Sequence, residues 1–434
     1  MQSRPMPGFA VVTVCALLVG TASVMAAKSL ALAADGAFQL VRVLATGDVY
    51  GFDARILGAA THQAAVIVAA RAGLEDTQQL ALLLGVGQLI VPAGVWSLAI
   101  ALSREDRLVC AAVAMIAGLN AGATWFFNVV ELVLAVPLTT LVAVLLWRPR
   151  TWRWREVAIA APASLVLVAS YETAMLSGAV LAAWAVWRRA RSTARAERVG
   201  CALVAGLAVL SVLVAVAGTG SGPNPTHSQS LLYFVVSLEP WPFYVALAGL
   251  AAVLLGLGPW LRGTAATVSL ALGSCALIAA AAGLEPGPVT AFQARGGAAV
   301  AGFLLELFLW WRWIDTRSAA TDGRPLARQR VLVAAPIVFV ATMVAVNIGP
   351  LGSWSRSLDT FRTHVNGDVG VIDVEEAVPP DRREVVWGWT SSSLSLLVRR
   401  DATAAILFDR RPSLLPFPPG AARSQLPDEY TWGG

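Results

Sequence analysis

The chain has 434 residues, of which 57% are hydrophobic and only 14% charged, with a mean hydropathy of +0.67. A soluble domain carries about 25% charged residues, so a water-soluble globular class is excluded and much of this surface must face lipid. The net charge of +5 does not point to nucleic acid, because the arginines lie between apolar runs and form no continuous basic patch.

The first apolar run, Gly8–Ala27, follows Arg4. Val24-Met25-Ala26 resembles the cleavage site of a signal peptide, but the run is long enough to span a bilayer and the count of spans works better if it stays. The loop after it, residues 28–76, is long and partly amphipathic: Phe38, Leu40, Val41 and Leu44 share a helical face, which Gly47 and Gly51 break. It reads as helices lying along the outer membrane surface. Further apolar runs fall near 77–102, 108–120, 128–147, 157–170, 172–187, 199–217, 243–261, 264–283, 297–311 and 331–348. The expected fold is therefore an all-α polytopic membrane protein with about 11 transmembrane helices in a membrane domain covering residues 1–348.

The arginines orient it. With the N-terminus in the cytoplasm, Arg104, Arg107, Arg148, Arg150, Arg153, Arg155, Arg188, Arg189, Arg191, Arg195, Arg198, Arg262, Arg312, Arg317, Arg324, Arg328 and Arg330 all fall in cytoplasmic loops. The short outer loops hold only Arg295. This asymmetry is what the positive-inside rule demands, and it gives an N-in, C-out bacterial inner-membrane protein. One run between basic clusters, Val157–Trp187, is too short for two full spans, and Leu108–Trp147 behaves similarly through a polar interruption. Val157–Trp187 is predicted to form a hairpin with its tip at Ser170-Tyr171-Glu172, and Leu108–Trp147 to dip at Asn120–Asn128. Irregular backbone at that depth lines protein or a wet cavity, so both dips point to one vestibule on the outer side. After Ile348 the composition changes, and residues 349–434 are expected to form a small mixed α/β periplasmic module with strand-like runs at Glu384–Trp389 and Ser393–Val398 and a Pro-rich coil at Pro412–Pro419.

Candidate chemistry concentrates on the outer side. Asp35 sits directly after the first span, and Asp48 and Asp53 follow in the same loop beside Arg42, Arg55 and His62. A carboxylate against a low-dielectric wall can act as a general base, and arginines can clamp a phosphate; the plainer reading is that Asp48 and Asp53 cap short helices. Glu131 and Glu172 lie at the two dips, where a membrane carboxylate costs roughly 2.5–3.5 kcal/mol and usually faces a cavity. Arg295 defies the topology bias and is a candidate phosphate ligand. Glu306 reads as the partner of Arg312. Most of the sixteen tryptophans mark span ends as an interfacial belt, with Trp125 and Trp241 on the outer side open to stacking on a sugar. Four scattered cysteines without a C-x-x-C, and three histidines without ligand spacing, give no metal site. In the tail, His364 and the Asp373, Glu375, Glu376 group read as surface charge, and Trp387-Gly-Trp389-Thr-Ser-Ser-Ser393 fits no catalytic pattern.

This layout resembles the C-type (GT-C) superfamily of integral-membrane glycosyltransferases, in architecture over residues 1–348. Asp35 matches the position of that family's first-loop acid, and Glu131 and Glu172 match its second acidic site more loosely. The resemblance implies a polyprenyl-phosphate-linked sugar donor at the periplasmic face, and an envelope glycan, lipid or protein as acceptor. Asp35 would be the base, Glu131 and Glu172 would order the acceptor or stabilise charge, and Arg55, Arg295 or His62 would hold the donor phosphate. The loop lacks the family's adjacent acidic pair, so no cofactor is called for and a divalent metal stays open. Two other classes remain: a transporter or flippase of lipid-linked saccharides, and a non-catalytic membrane subunit of an envelope-assembly complex.

Overall fold

The computed structural model describes residues 5–33, 35–51, 55–124, 130–170, 174–221, 301–314, 326–378, 390–401, 403–408, 426 and 428–433. The protein is mainly helical. Among the described residues, four helices are long and apolar enough to cross a membrane: Gly8–Ala27, Thr77–Ser103, Arg195–Gly218 and Val333–Gly367.

Helix α1 (Gly8–Ala27) is apolar on every side, as a helix between lipid and protein must be. After it the chain turns through Ser29, in the left-handed region at φ 54°, and a short 3-10 turn, Leu30–Leu32. Helix α2 (Gly36–Thr46) then buries Leu40, Val41 and Leu44, and Gly47 ends it at φ 67°. Only glycine adopts that conformation without strain. Helix α3 (Ile56–Arg71) completes the loop, whose helices the sequence pattern anticipates. Arg71 ties its end back to α2 by donating to the Gly47 carbonyl at 2.8 Å.

Helix α4 (Thr77–Gly85) starts on Asp76, whose side chain accepts from the Gln78 N–H. It runs through a π turn, Val86–Ile90, into α5 (Val91–Ser103). Pro92 has no N–H to give the Gln88 carbonyl, and the widened turn falls where that bond is lost. Helices α6 (Arg107–Thr124) and α7 (Val130–Trp147) follow, then α8 (Trp154–Leu167), α9 (Ala174–Arg191) and α10 (Arg195–Ser221). At 1.5 Å per residue the 14 residues of α8 reach only about 21 Å, and both α8 and α9 pack against α7 and α10. Ala169 and Ser170, after α8, begin the tip expected of this run, whose centre at residues 171–173 lies outside the described residues. Residues 301–314 are helical (α11), and α12 (Leu326–Val346) packs on α6 and α1. The expected spans at 243–261 and 264–283 lie outside the described residues.

Helix α13 (Ile348–Gly367) carries the chain into the tail, where β1 (Val371–Asp373) pairs in parallel with β2 (Ile406–Phe408), Val371 opposite Ile406. Between them lie α14 (Val374–Ala377) and α15 (Ser391–Val398). The second strand-like run is thus a helix. Ser391, Ser393, Leu394, Ser395, Leu396 and Leu397 are all buried, so no alternating face exists, and the Ser395 hydroxyl bonds the Ser391 carbonyl one turn back at 2.8 Å. Glu384–Trp389 and Pro412–Pro419 lie outside the described residues.

The two ends of the bundle differ in chemistry. At one end Met6 N–H bonds the Arg104 carbonyl at 2.7 Å, and the interhelical arginines gather there. Arg148 and Arg150 reach Glu105 at 3.3 and 3.2 Å, Arg188 reaches Glu197 at 2.6 Å, and Arg312 reaches Asp106 at 3.1 Å. At the other end of α1, the Trp354 indole N–H bonds the Lys28 carbonyl at 3.0 Å. There the tail sits on the first loop. Thr77 Oγ1 donates to Leu397 O at 2.5 Å, and Asp76 and Thr431 form a bridge. α15 packs against α2 and α4.

Candidate functional site

The end away from the arginines carries the candidate site. Asp35 opens α2, directly beyond the 3-10 turn that follows α1, and is half-buried with one carboxylate oxygen enclosed. Its side chain makes no capping bond to α2, so the carboxylate is not spent on helix initiation. Asp48 is different: exposed, it accepts from the Val49 N–H at 2.8 Å and shapes the turn after α2. Arg42 lies over the Tyr50 ring, 5.5 Å from its centroid, and Phe38 meets the same ring edge-on at 5.4 Å. Tyr50 is itself held by a two-way backbone clasp from Gln63, both bonds 2.8 Å. Arg42 is therefore placed by aromatic packing at the edge of the layer formed by the first loop's helices.

Helix α3 joins this layer to the hairpin tip. The N–H groups of Leu57 and Gly58 donate to the Ala169 carbonyl at 3.0 and 3.1 Å. A Cβ on Gly58 would stand 3.3 Å from the Ser170 backbone, so this contact is close because position 58 has no side chain. Arg55, buried, sits at the N-terminal end of α3 beside that junction. Helix α3 also packs on α7, whose first turn contains Glu131. The backbone thus brings Arg55, the hairpin tip before Glu172 and the start of α7 to one end of the bundle, the end where Asp35 lies. The side chain of Glu131 and residues Asp53, Trp125, Glu172, Trp241 and Arg295 lie outside the described residues.

His62 is fully buried in α3, with Nδ1 2.8 Å from the Gly87 carbonyl of the π turn. That ring joins two packed helices. Nearby, the amides of Gln39 and Gln88 approach to 3.5 Å, both buried. Sequence reasoning overlooked the glutamines Gln39, Gln63 and Gln88. Their signal was available: three amides in predominantly apolar helical runs, each on a face that must be internal.

Glu306 corrects an expectation. Arg312 pairs with Asp106 and not with Glu306, because Asp106, at the start of α6, stands at the membrane edge where a guanidinium can remain partly hydrated. In the tail, Asp373 caps α14 by accepting from the Glu375 N–H at 2.8 Å, and His364 meets Asp368 at 3.3 Å on an exposed helix face. Among the described residues no group of three or more His, Cys, Asp or Glu side chains could hold a metal ion. Comparison with family models, with curated proteins and with solved structures finds no match.

Proposed function

We propose that this chain is an integral-membrane glycosyltransferase that takes its sugar from a polyprenyl-phosphate carrier at the outer face of a bacterial inner membrane. In this reading about 11 helices span the bilayer with the N-terminus inside and the C-terminus outside. The observation that carries it is the joint between the first loop and the hairpin tip, through Leu57 and Gly58 on Ala169. That joint gathers the start of α3, the segment leading to Glu172 and the start of α7 at the end where Asp35 opens α2.

Chemically, the reaction needs a base for the acceptor hydroxyl and cations for the leaving phosphate. Asp35, partly enclosed by apolar helix ends, is the base. Arg55, at the start of α3, and Arg42, on α2, are the described arginines of the first loop's helices beside Asp35 and the α8 tip, and a guanidinium binds phosphate in a two-pronged way that an ammonium cannot. Glu131 and Glu172 order the acceptor. Loss of a general base lowers rate about 100- to 10,000-fold. Asp35→Asn should therefore lose about 100-fold or more of sugar transfer from a polyprenyl-phosphate sugar in proteoliposomes, with unchanged folding in detergent. Full activity in the folded variant overturns the assignment.

One observation favours a second reading, a transporter of lipid-linked saccharides: buried polar groups also occur inside the bundle, around Glu306 and Thr139. Vesicles separate the two readings, since a flippase moves labelled lipid across the bilayer without changing its mass.

A further inference from the structure

A second polar cluster lies within the bundle, away from the capped end. Glu306 of α11 is fully buried, and neither carboxylate oxygen has a hydrogen-bond partner of full geometry among the described residues. Its position follows from a glycine one turn earlier. A Cβ on Gly302 would stand 2.8 Å from Val136 Cγ1, so α11 can press on α7 there only without a side chain. One turn further on, Glu306 meets the hydroxyls of Thr139 on α7 and Ser177 on α9.

Two of the hydroxyls around it have their protons directed elsewhere. Thr139 donates to the Val136 carbonyl at 2.9 Å, and Ser211 of α10 to the Ala208 carbonyl at 2.8 Å. Toward the centre of the cluster they present lone pairs. Thr139, Ser164, Ser211 and Gly178 line a small cavity between α7, α8, α9 and α10. The Ser164 hydroxyl, 3% exposed, has no partner among the described residues. Four oxygen-bearing side chains and a carboxylate thus converge from five helices.

No described cation neutralises the carboxylate. On its own helix Arg312 belongs to Asp106. Beyond α7, Arg148 is held by Glu105 and Glu156, the latter on α8 with Arg155; on α9, Arg188 is held by Glu197 of α10. Arg189 and Arg191 are exposed at the end of α9, and Arg195 and Arg198 flank the start of α10, all at the arginine end. Glu131, at the far end of α7, adds a negative charge and not a positive one. An uncompensated carboxylate enclosed at this depth is too costly to persist. A divalent ion would leave one positive charge over, whereas a single positive charge balances it. Carboxylate and hydroxyl oxygens are the donors that small hard cations take.

We propose that Glu306, Thr139, Ser164, Ser177 and Ser211 form a monovalent-cation site inside the membrane domain, occupied by a proton or a sodium ion. The site stands apart from the outer-face carboxylates, and its test does not read sugar transfer. Full-length protein in sodium-free liposomes is treated with dicyclohexylcarbodiimide, which reacts with protonated carboxyls from within the bilayer. The acid proton moves to a carbodiimide nitrogen, a carboxyl oxygen bonds the central carbon, and an oxygen-to-nitrogen acyl shift leaves a stable acylurea with nothing expelled. Peptide mass mapping should find the adduct on Glu306, and Glu306→Gln should abolish it. Added sodium that blocks the adduct identifies sodium as the occupant; an adduct indifferent to sodium identifies the proton. Two results overturn the proposal: no adduct on Glu306 in the absence of sodium, or an equal adduct from a water-soluble, impermeant carbodiimide, which would place the carboxylate in bulk water. Because mapping identifies the modified residue in the wild-type protein, the result stands even if the variant fails to fold.

Discussion

Arg188 concentrates more polar contacts than any other side chain at the arginine end. Its guanidinium meets Glu197 at 2.6 Å and donates to the carbonyls of Arg148 at 2.7 Å, Arg150 at 2.8 Å and Leu146. The carbonyls of Leu146 and Arg148 close α7, where a helix leaves acceptors unmatched and carries partial negative charge, and that of Arg150 lies in the turn just beyond. A planar fork of five donors serves them; a lysine offers one point. Removing one partner of a buried pair typically costs about 3–5 kcal/mol, because the other charge stays enclosed. Glu197→Ala should therefore lower the detergent melting temperature sharply, and Arg188→Lys should also lower it. Arg155→Ala serves as the contrast: its pair with Glu156 is 63% exposed on the arginine side, and such pairs contribute about 0–1 kcal/mol. Equal melting temperatures for Glu197→Ala and wild type would remove the role assigned to Arg188.

Between elements, single glycines set how closely the helices approach. A Cβ on Gly87 would lie 2.2 Å from the His62 carbonyl oxygen and 2.9 Å from its Cα, backbone atoms that cannot turn aside. On Gly85 it would stand 2.9 Å from Ala26, and on Gly178 2.8 Å from the Ser211 hydroxyl. Overpacking costs about 1–3 kcal/mol where side chains can adjust, and more against fixed backbone. Gly87→Ala should give little monodisperse protein in size-exclusion chromatography, while Gly20→Ala, with nothing within 4 Å of its Cβ, should elute as wild type. This is also where the sequence stops being informative. Helices α1, α5, α8 and α9 were legible because a helix against lipid must be apolar along its length, and α2 because Leu40, Val41 and Leu44 repeat at helical spacing. The run Ser393–Val398 misled because full burial by the tail and by α2 and α4 erases the facial pattern that separates helix from strand. The neighbours of Glu306 depended on Gly302 and on helix registers that no single run of residues encodes. For the outer site, the placement of Asp35 after α1 was readable, but its nearness to the hairpin tip rests on two backbone bonds from positions 57 and 58 to position 169.

At the scale of the whole molecule, α1 links the two ends, so the sidedness of one decides the other. Met6, just before it, donates to the Arg104 carbonyl, and the Lys28 carbonyl, just after it, accepts from Trp354 in the tail. In the proposed orientation the positive-inside rule keeps the arginine end in the cytoplasm, and the tail, the first loop and Asp35 then face outward, as the proposed lipid-linked donor requires. Two exposed positions report on this. Asp368 closes α13 in the tail and, among the described residues, pairs with His364 across an exposed helix turn; Arg189 is exposed near the end of α9. Neither substitution should unfold the protein, since exposed ion pairs contribute little. Asp368→Cys should react with a membrane-impermeant maleimide in intact spheroplasts, and Arg189→Cys only after permeabilisation. Unsubstituted protein, labelled in parallel, supplies the background: Cys110 and Cys201 are buried and Cys15 half-buried within helices, and the fourth cysteine, Cys275, lies outside the described residues. If Arg189→Cys reacts in intact cells and Asp368→Cys does not, the molecule is inverted, Asp35 faces the cytoplasm, and an outward-facing sugar-transfer site is untenable.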